Sequence, residues 1–275
     1  MTSPETGTLL TLGLYALASI SGIAGTALRL PFWRKVGCGL AVAGFIVQTL
    51  ILATGFHTSL PGGLSIGAYF QMIAWFVMLC GLGIGIKMRN ETAALFPAPL
   101  ALLLFAMSAP YLQSLIRVPE SLKASFFALH IGTLFLSLAL LALACVAGLL
   151  FIVLERRIKS KQHMQGFLQD MPALSLLDKL NAVTTITGFP LYTLGLAAGL
   201  LWAKPVYGAS FSGDPKEVIT IGIWLLYAWL FHNRLINGWK GRKPARLAII
   251  IFLLSLFSII VVNTLMDTHH AFIRS

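Results

Sequence analysis

Charge is what this sequence has least of. Asp, Glu, Lys and Arg make up only 11% of its 275 residues, where a soluble chain carries about a quarter. No polar stretch outlasts a short loop, which leaves no room for a separate water-soluble domain. Acids are scarcer still, nine against twenty basic residues. The three cysteines, Cys38, Cys80 and Cys145, all fall in apolar runs without CxxC spacing, which excludes a disulfide framework and a zinc site. There is no CxxCH either, so the chain itself is not expected to carry covalently attached c-type haem. The N-terminus, MTSPETGTLL, has no basic n-region, and the first apolar run is therefore expected to be a retained span rather than a cleaved signal. Solenoid-length repeats and low-complexity tracts are absent as well.

What fills the chain instead is hydrocarbon: 57% of residues are apolar and the mean hydropathy is +0.86. Eight runs are long enough for a helix to cross a bilayer, at about 8–28, 36–56, 64–86, 93–115, 124–154, 182–203, 217–236 and 246–266. Pro97, Pro99 and Pro110 should kink or shorten the fourth. The expectation is an all-α, multi-pass membrane protein of about eight transmembrane helices, one polytopic domain over 1–275. The net charge of +11 does not point to nucleic acid, because the basic residues sit in short loops as topology signals. Alternate loops carry fifteen Lys and Arg on one side and five on the other. By the positive-inside rule the first set is cytoplasmic, which puts both termini outside. The cytoplasmic segment 155–180 mixes basic with apolar residues and reads either as an amphipathic helix against membrane lipid headgroups or as a plain connection.

Six histidines need explaining. His163 lies in the basic segment and reads as solvated. On the charge-derived topology, His130, His57, His269 and His270 gather at the outer surface. Neutral imidazoles from two helices can hold haem iron from opposite faces, so His130 with one of the C-terminal pair could form a bis-histidine site. Interfacial histidines bonded to water and headgroups are the other reading, and spacing leaves both open. His232 lies about 22 Å down the seventh span at 1.5 Å per residue, where an ionisable group is a functional-site candidate or a side chain snorkelling beside Arg234.

The same outer surface carries a polar, aromatic loop from Trp202 to Glu217, WAKPVYGASFSGDPKE. Trp202, Tyr207 and Phe211 beside Gly208 and Gly213 could make a platform for a planar ligand, or a belt of interfacial aromatics. Asp214, Pro215 and Glu217 form a good helix start: a cap, a first-turn proline and an acid at the positive end of the dipole.

In order along the chain, GFPLYTLGLAAGLLWAK, GDPKE, YAWLFHNR, NGWKGRKPARLAI and VVNTLMDTHHAF resemble the CcsA type of cytochrome c assembly protein, with its HemX-like relatives. The likeness covers about 174–272 and extends more weakly back through His130. It implies non-covalent haem b held at the outer face of a bacterial cytoplasmic (inner) membrane and presented to apocytochrome c. His130 and His270 would be the paired iron ligands, since His270 stands seven positions after Asn263 as the family histidine does after its Asn. The resemblance also implies that His232 takes haem within the membrane, often with a second membrane subunit contributing. Tyr207, Gly208, Phe211 and Asp214 would line the cofactor, with Trp202, His57 and His269 as further candidates. No enzymatic chemistry of the chain alone is expected, and the resemblance leaves open that it is one component of a cytochrome c haem-attachment system. In one respect the chain departs from the family: Tyr207, Phe211 and Gly213 stand where the cytochrome-assembly members have tryptophans. That leaves room for a HemX-like regulator of haem biosynthesis or haem-protein assembly. A small-molecule transporter is the remaining rival, and few mid-membrane polar residues or broken helices support it.

Overall fold

In hydrocarbon a backbone amide has no water to bond, so an apolar run must satisfy its own N–H and C=O groups, and a helix does so within one segment. The computed structural model describes residues 3–59, 64–88, 95, 97–109, 115–116, 126–160, 172–207, 211 and 213–262. Among these residues there are eight α-helices: α1 (Ser3–Ala27), α2 (Pro31–Ser59), α3 (Ile66–Met88), α4 (Pro97–Ala106), α5 (Phe126–Lys159), α6 (Leu174–Tyr207), α7 (Pro215–Leu235) and α8 (Arg242–Phe257). A π-helical turn, Ser258–Val262, continues α8. The only other regular structure among the described residues is a pair of two-residue strands, β1 (Leu64–Ser65) and β2 (Leu115–Ile116).

Six helices, α1, α2 and α5 to α8, are long and apolar enough to cross a membrane. The protein is a multi-pass helical membrane protein. In α3 and α4 the apolar stretches Phe70–Ile86 and Pro97–Ala106 are shorter. Within the fourth expected span, α4 covers ten described residues, about 15 Å of helix.

Two expected boundaries move. Trp202 to Tyr207, expected as loop, form the last turns of α6, which runs on through Pro190 and Pro205; neighbouring groups and local adjustment let membrane helices tolerate proline. The ends of the expected cytoplasmic segment belong to helices, α5 reaching Lys159 and α6 starting at Leu174, while 161–171, with His163, lie outside the described residues.

The chain divides into two compact units. The first comprises residues 1–113 and 153–174. Within it α1 packs on α2 and α4, and α3 on α2 and α4. Its centre is polar: Tyr15 Oη donates to Gln48 Oε1 (2.5 Å), Gln48 Nε2 to the Gln71 carbonyl (2.8 Å), and Gln71 Nε2 reaches Ser108 Oγ at 3.4 Å. Tyr15, Gln48 and Ser108 are fully buried. With lipid outside, apolar side chains gain nothing by facing each other, so small contacts and hydrogen bonds of this kind hold helices together.

The second unit comprises residues 114–152 and 175–275. Here α5 and α6 run antiparallel and are tied by three bonds from a side chain to a backbone carbonyl. His130 Nδ1 lies 2.6 Å from the Gly195 oxygen, Ser137 Oγ donates to Gly188 (2.8 Å) and Asn181 Nδ2 to Ala144 (2.6 Å). The α5 members of these rungs, 130, 137 and 144, fall seven apart, which is the repeat of a left-handed supercoil. The α6 seam, Asp178, Asn181, Thr185, Gly188, Tyr192, Gly195 and Gly199, alternates steps of three and four. Small and polar residues fill it because close backbone approach is what a membrane helix pair can use.

Candidate functional site

At one end of the second unit stands His130, half-buried in the second turn of α5. A carbonyl oxygen can only accept, so the ring nitrogen 2.6 Å from the Gly195 oxygen carries the proton. Nδ1 is therefore N–H and Nε2 keeps its lone pair, the state in which an imidazole ligates a metal. The ring packs directly on the α6 backbone. A Cβ on Gly199 would lie 2.5 Å from His130 Cε1 and 2.7 Å from Nδ1, so only glycine leaves room for this placement.

The start of α7 belongs to the same end. Asp214 caps it, its Oδ1 accepting the Lys216 amide at 2.8 Å, with Pro215 in the first turn and Glu217 following. This is the helix start that the sequence pattern predicts. Asp214 is 7% exposed, so its carboxylate is a buried cap. Phe211 is 51% exposed. Trp202 and Tyr207 are helical, at the same end of α6, with side chains outside the description. Gly208, His269 and His270 lie outside the described residues, and so does the His57 side chain near the end of α2.

The opposite end of this unit holds a charged lock that sequence reading missed. Arg234, with its side chain 2% exposed, meets Asp178 Oδ1 at 3.0 Å. Its Nη1 also donates to the Trp239 carbonyl at 2.9 Å, and its Nη2 to Asn181 Oδ1. The Gly241 amide donates to Asp178 Oδ1 at 2.9 Å, and Gly241 has φ 79°, a conformation that side chains resist. Trp239 packs edge-on against Trp229, ring centres 5.9 Å apart, and Lys243 lies over its face. The fifteen basic residues assigned to the cytoplasmic loops include Arg234, which is instead half of an internal ion pair. The readable signal was Ile223, Tyr227, Leu230 and Arg234, buried at steps of four, three and four.

His232, two residues before Arg234 in the last turn of α7, is exposed. Residues two apart on a helix differ by about 200° around its axis, so burying Arg234 turns His232 outward. It stands in an exposed row with Val218, Gly222, Leu225, Trp229 and Ile236. The structure thus separates His130 and His232, one set into the helix seam and the other on an open face. The described residues contain no cluster of three or more His, Cys, Asp or Glu able to hold a metal.

Apolar helices long enough to cross a membrane, tied by polar rungs, define a polytopic membrane protein. Comparison with known proteins supplies the family. The family described as cytochrome C assembly protein matches residues 63–270, and the chain belongs to it. It is 25% identical over 284 residues to the cytochrome c biogenesis protein CcsA of Guillardia theta, covering 96% of this chain and 94% of that one. It is 25% identical to the CcsA of Gloeobacter violaceus (94% and 92% covered). With the CcsA of Synechococcus sp. strain CC9902 the identity is 31% over 58% of this chain and 59% of the relative.

Proposed function

We propose that this protein serves cytochrome c maturation by binding haem b non-covalently at the outer face of a bacterial cytoplasmic membrane and holding it for apocytochrome c. His130 is one axial ligand and His270 the other. The observation that carries this reading is the bond between His130 Nδ1 and the Gly195 carbonyl, because it commits one ring nitrogen as a donor and leaves Nε2 as the ligand. Bound there, haem would supply the group that the maturation step attaches. The charge asymmetry of the loops supports placing the His130 end outside and the Arg234 end in the cytoplasm, with both termini outside. Arg234 is removed from that count by its burial, and the asymmetry survives. His232, facing away from its own bundle, takes haem within the membrane next to a second membrane subunit.

The test is an absorption spectrum of the purified protein. Two neutral imidazoles give low-spin, six-coordinate iron. His130→Ala or His270→Ala should abolish that signature, and His269→Ala should disturb it less. Occupancy should fall as pH drops through the histidine range, because protonation removes the lone pairs that bind iron. A protein that purifies without haem and takes none up overturns the proposal. For the orientation, an impermeant thiol reagent on intact cells should reach a cysteine placed at 209 and not one at 241.

The degraded aromatic set, Tyr207, Phe211 and Gly213 in place of tryptophans, favours a second reading, a HemX-like regulator of haem biosynthesis or haem-protein assembly. Haem bound to the purified protein, with cytochrome c maturation intact in a strain lacking it, would select that reading.

A further inference from the structure

We infer that the Gly195 carbonyl and Gly199 are positioning elements for His130: α6 acts through its backbone to fix the tautomer, the rotation and the basicity of the ligand. The inference rests on the proposed role of His130 as an iron ligand. It goes beyond that role in assigning work to a stretch of helix with no functional side chain.

The geometry has two parts. The Gly195 oxygen accepts from Nδ1 at 2.6 Å, which prevents the ring from flipping to present Nδ1 to a metal. Gly199, one turn on, bears on the same ring. A Cβ there would come within 2.5 Å of Cε1 and 2.7 Å of Nδ1, and 3.4 Å from Nε2. The ring edge carrying Nδ1 is thus pressed on the helix, and the Nε2 side is the one held away from it. A Cβ on Gly195 would instead meet Leu134 and Thr133 side chains, so at that position the carbonyl does the work and at Gly199 the missing side chain does. Lower on the same helix pair, Ser137 bonds to the Gly188 carbonyl and Asn181 to that of Ala144, and neither rung touches the His130 ring. A hydrogen bond donated by a ligating imidazole makes it a stronger base, and such partners typically govern metal affinity by about ten- to a hundredfold. A more basic ligand favours ferric over ferrous iron, which biases this end of the protein toward oxidised haem.

Two variants of the full-length protein, purified in detergent, test this by haem titration and redox potentiometry. Gly199→Ala pushes the ring off its acceptor. It should weaken haem binding about ten- to a hundredfold and raise the midpoint potential, while Ser137→Ala, which cuts the next rung, leaves both unchanged. Equal losses in the two variants would mean that helix register alone matters and would overturn the inference. His130→Gly opens a cavity that free imidazoles can enter. Imidazole ligates through one nitrogen and donates its N–H from the other, whereas 1-methylimidazole ligates equally but has no N–H to give. Imidazole should restore the six-coordinate spectrum at about a tenth or less of the concentration 1-methylimidazole needs. Equal potency sinks the positioning role while leaving His130 as a ligand. Wild-type protein that takes up no haem, or a His130→Gly protein that keeps the six-coordinate spectrum with nothing added, sinks the underlying reading instead.

Discussion

The two units solve the same problem, holding apolar helices together in lipid, with different chemistry. In the first, neutral side chains bond largely to one another: Tyr15 to Gln48, Gln71 to Ser108, and Trp75 Nε1 to Thr49 at 2.8 Å. In the second, the rungs run from side chains to backbone carbonyls, and an ion pair closes one end. The first pattern uses polar groups up on each other. The second commits the Nδ1 of His130 to a backbone carbonyl, and on the proposed function Nε2 is the atom that binds iron. On the proposed function, that contrast separates polar residues that glue from one that acts, a distinction residue type does not make.

The sharpest way to break the contrast is at the ion pair. Arg234→Ala leaves Asp178 largely buried without its partner, and a loss of about 3–5 kcal/mol is expected, read as a lowered unfolding midpoint in detergent. Asp178→Asn combined with Arg234→Gln should recover much of it, since no lone charge then remains. Next comes the neutral network. Gln48→Leu orphans the Tyr15 hydroxyl at a cost of about 1–3 kcal/mol, and adding Tyr15→Phe should return part of that; neither change should alter the haem spectrum. A single rung is worth less: Ser137→Ala should cost about 0.6 kcal/mol, the average for interhelical bonds in a membrane. The smallest effect on stability belongs to His232→Gln, within about 0.5 kcal/mol because the side chain is exposed. Haem loading or cytochrome maturation should nevertheless fall. Full function in that variant would make His232 an ordinary surface residue.

Much of the architecture was legible because lipid imposes one rule on every segment. A run such as 124–154 has no alternative to a helix, and α5 indeed covers Phe126–Lys159. The Asp214 cap was legible for a local reason, since Asp-Pro-x-Glu satisfies orphan amides wherever it occurs. What stayed hidden depends on rotation about a helix axis. His232 and Arg234 were judged by residue type and depth, yet which of the two faces inward follows from the phase of Ile223, Tyr227 and Leu230. Gly195 and Gly199 were hidden for a related reason: their role lies in a carbonyl and a missing Cβ, and becomes visible only once the α5 partner and its register are known.

The Arg234–Asp178 pair also has an electrical consequence. Carrying one elementary charge across the whole bilayer against 100 mV takes about 2.3 kcal/mol, so an isolated arginine riding on a moving helix would feel the membrane voltage. Here the opposite charges stand 3.0 Å apart, about a tenth of the hydrocarbon thickness. The pair therefore couples to the field as a short dipole worth at most about 0.2 kcal/mol at that voltage. Shifting α6 and α7 together does no net electrical work on the pair.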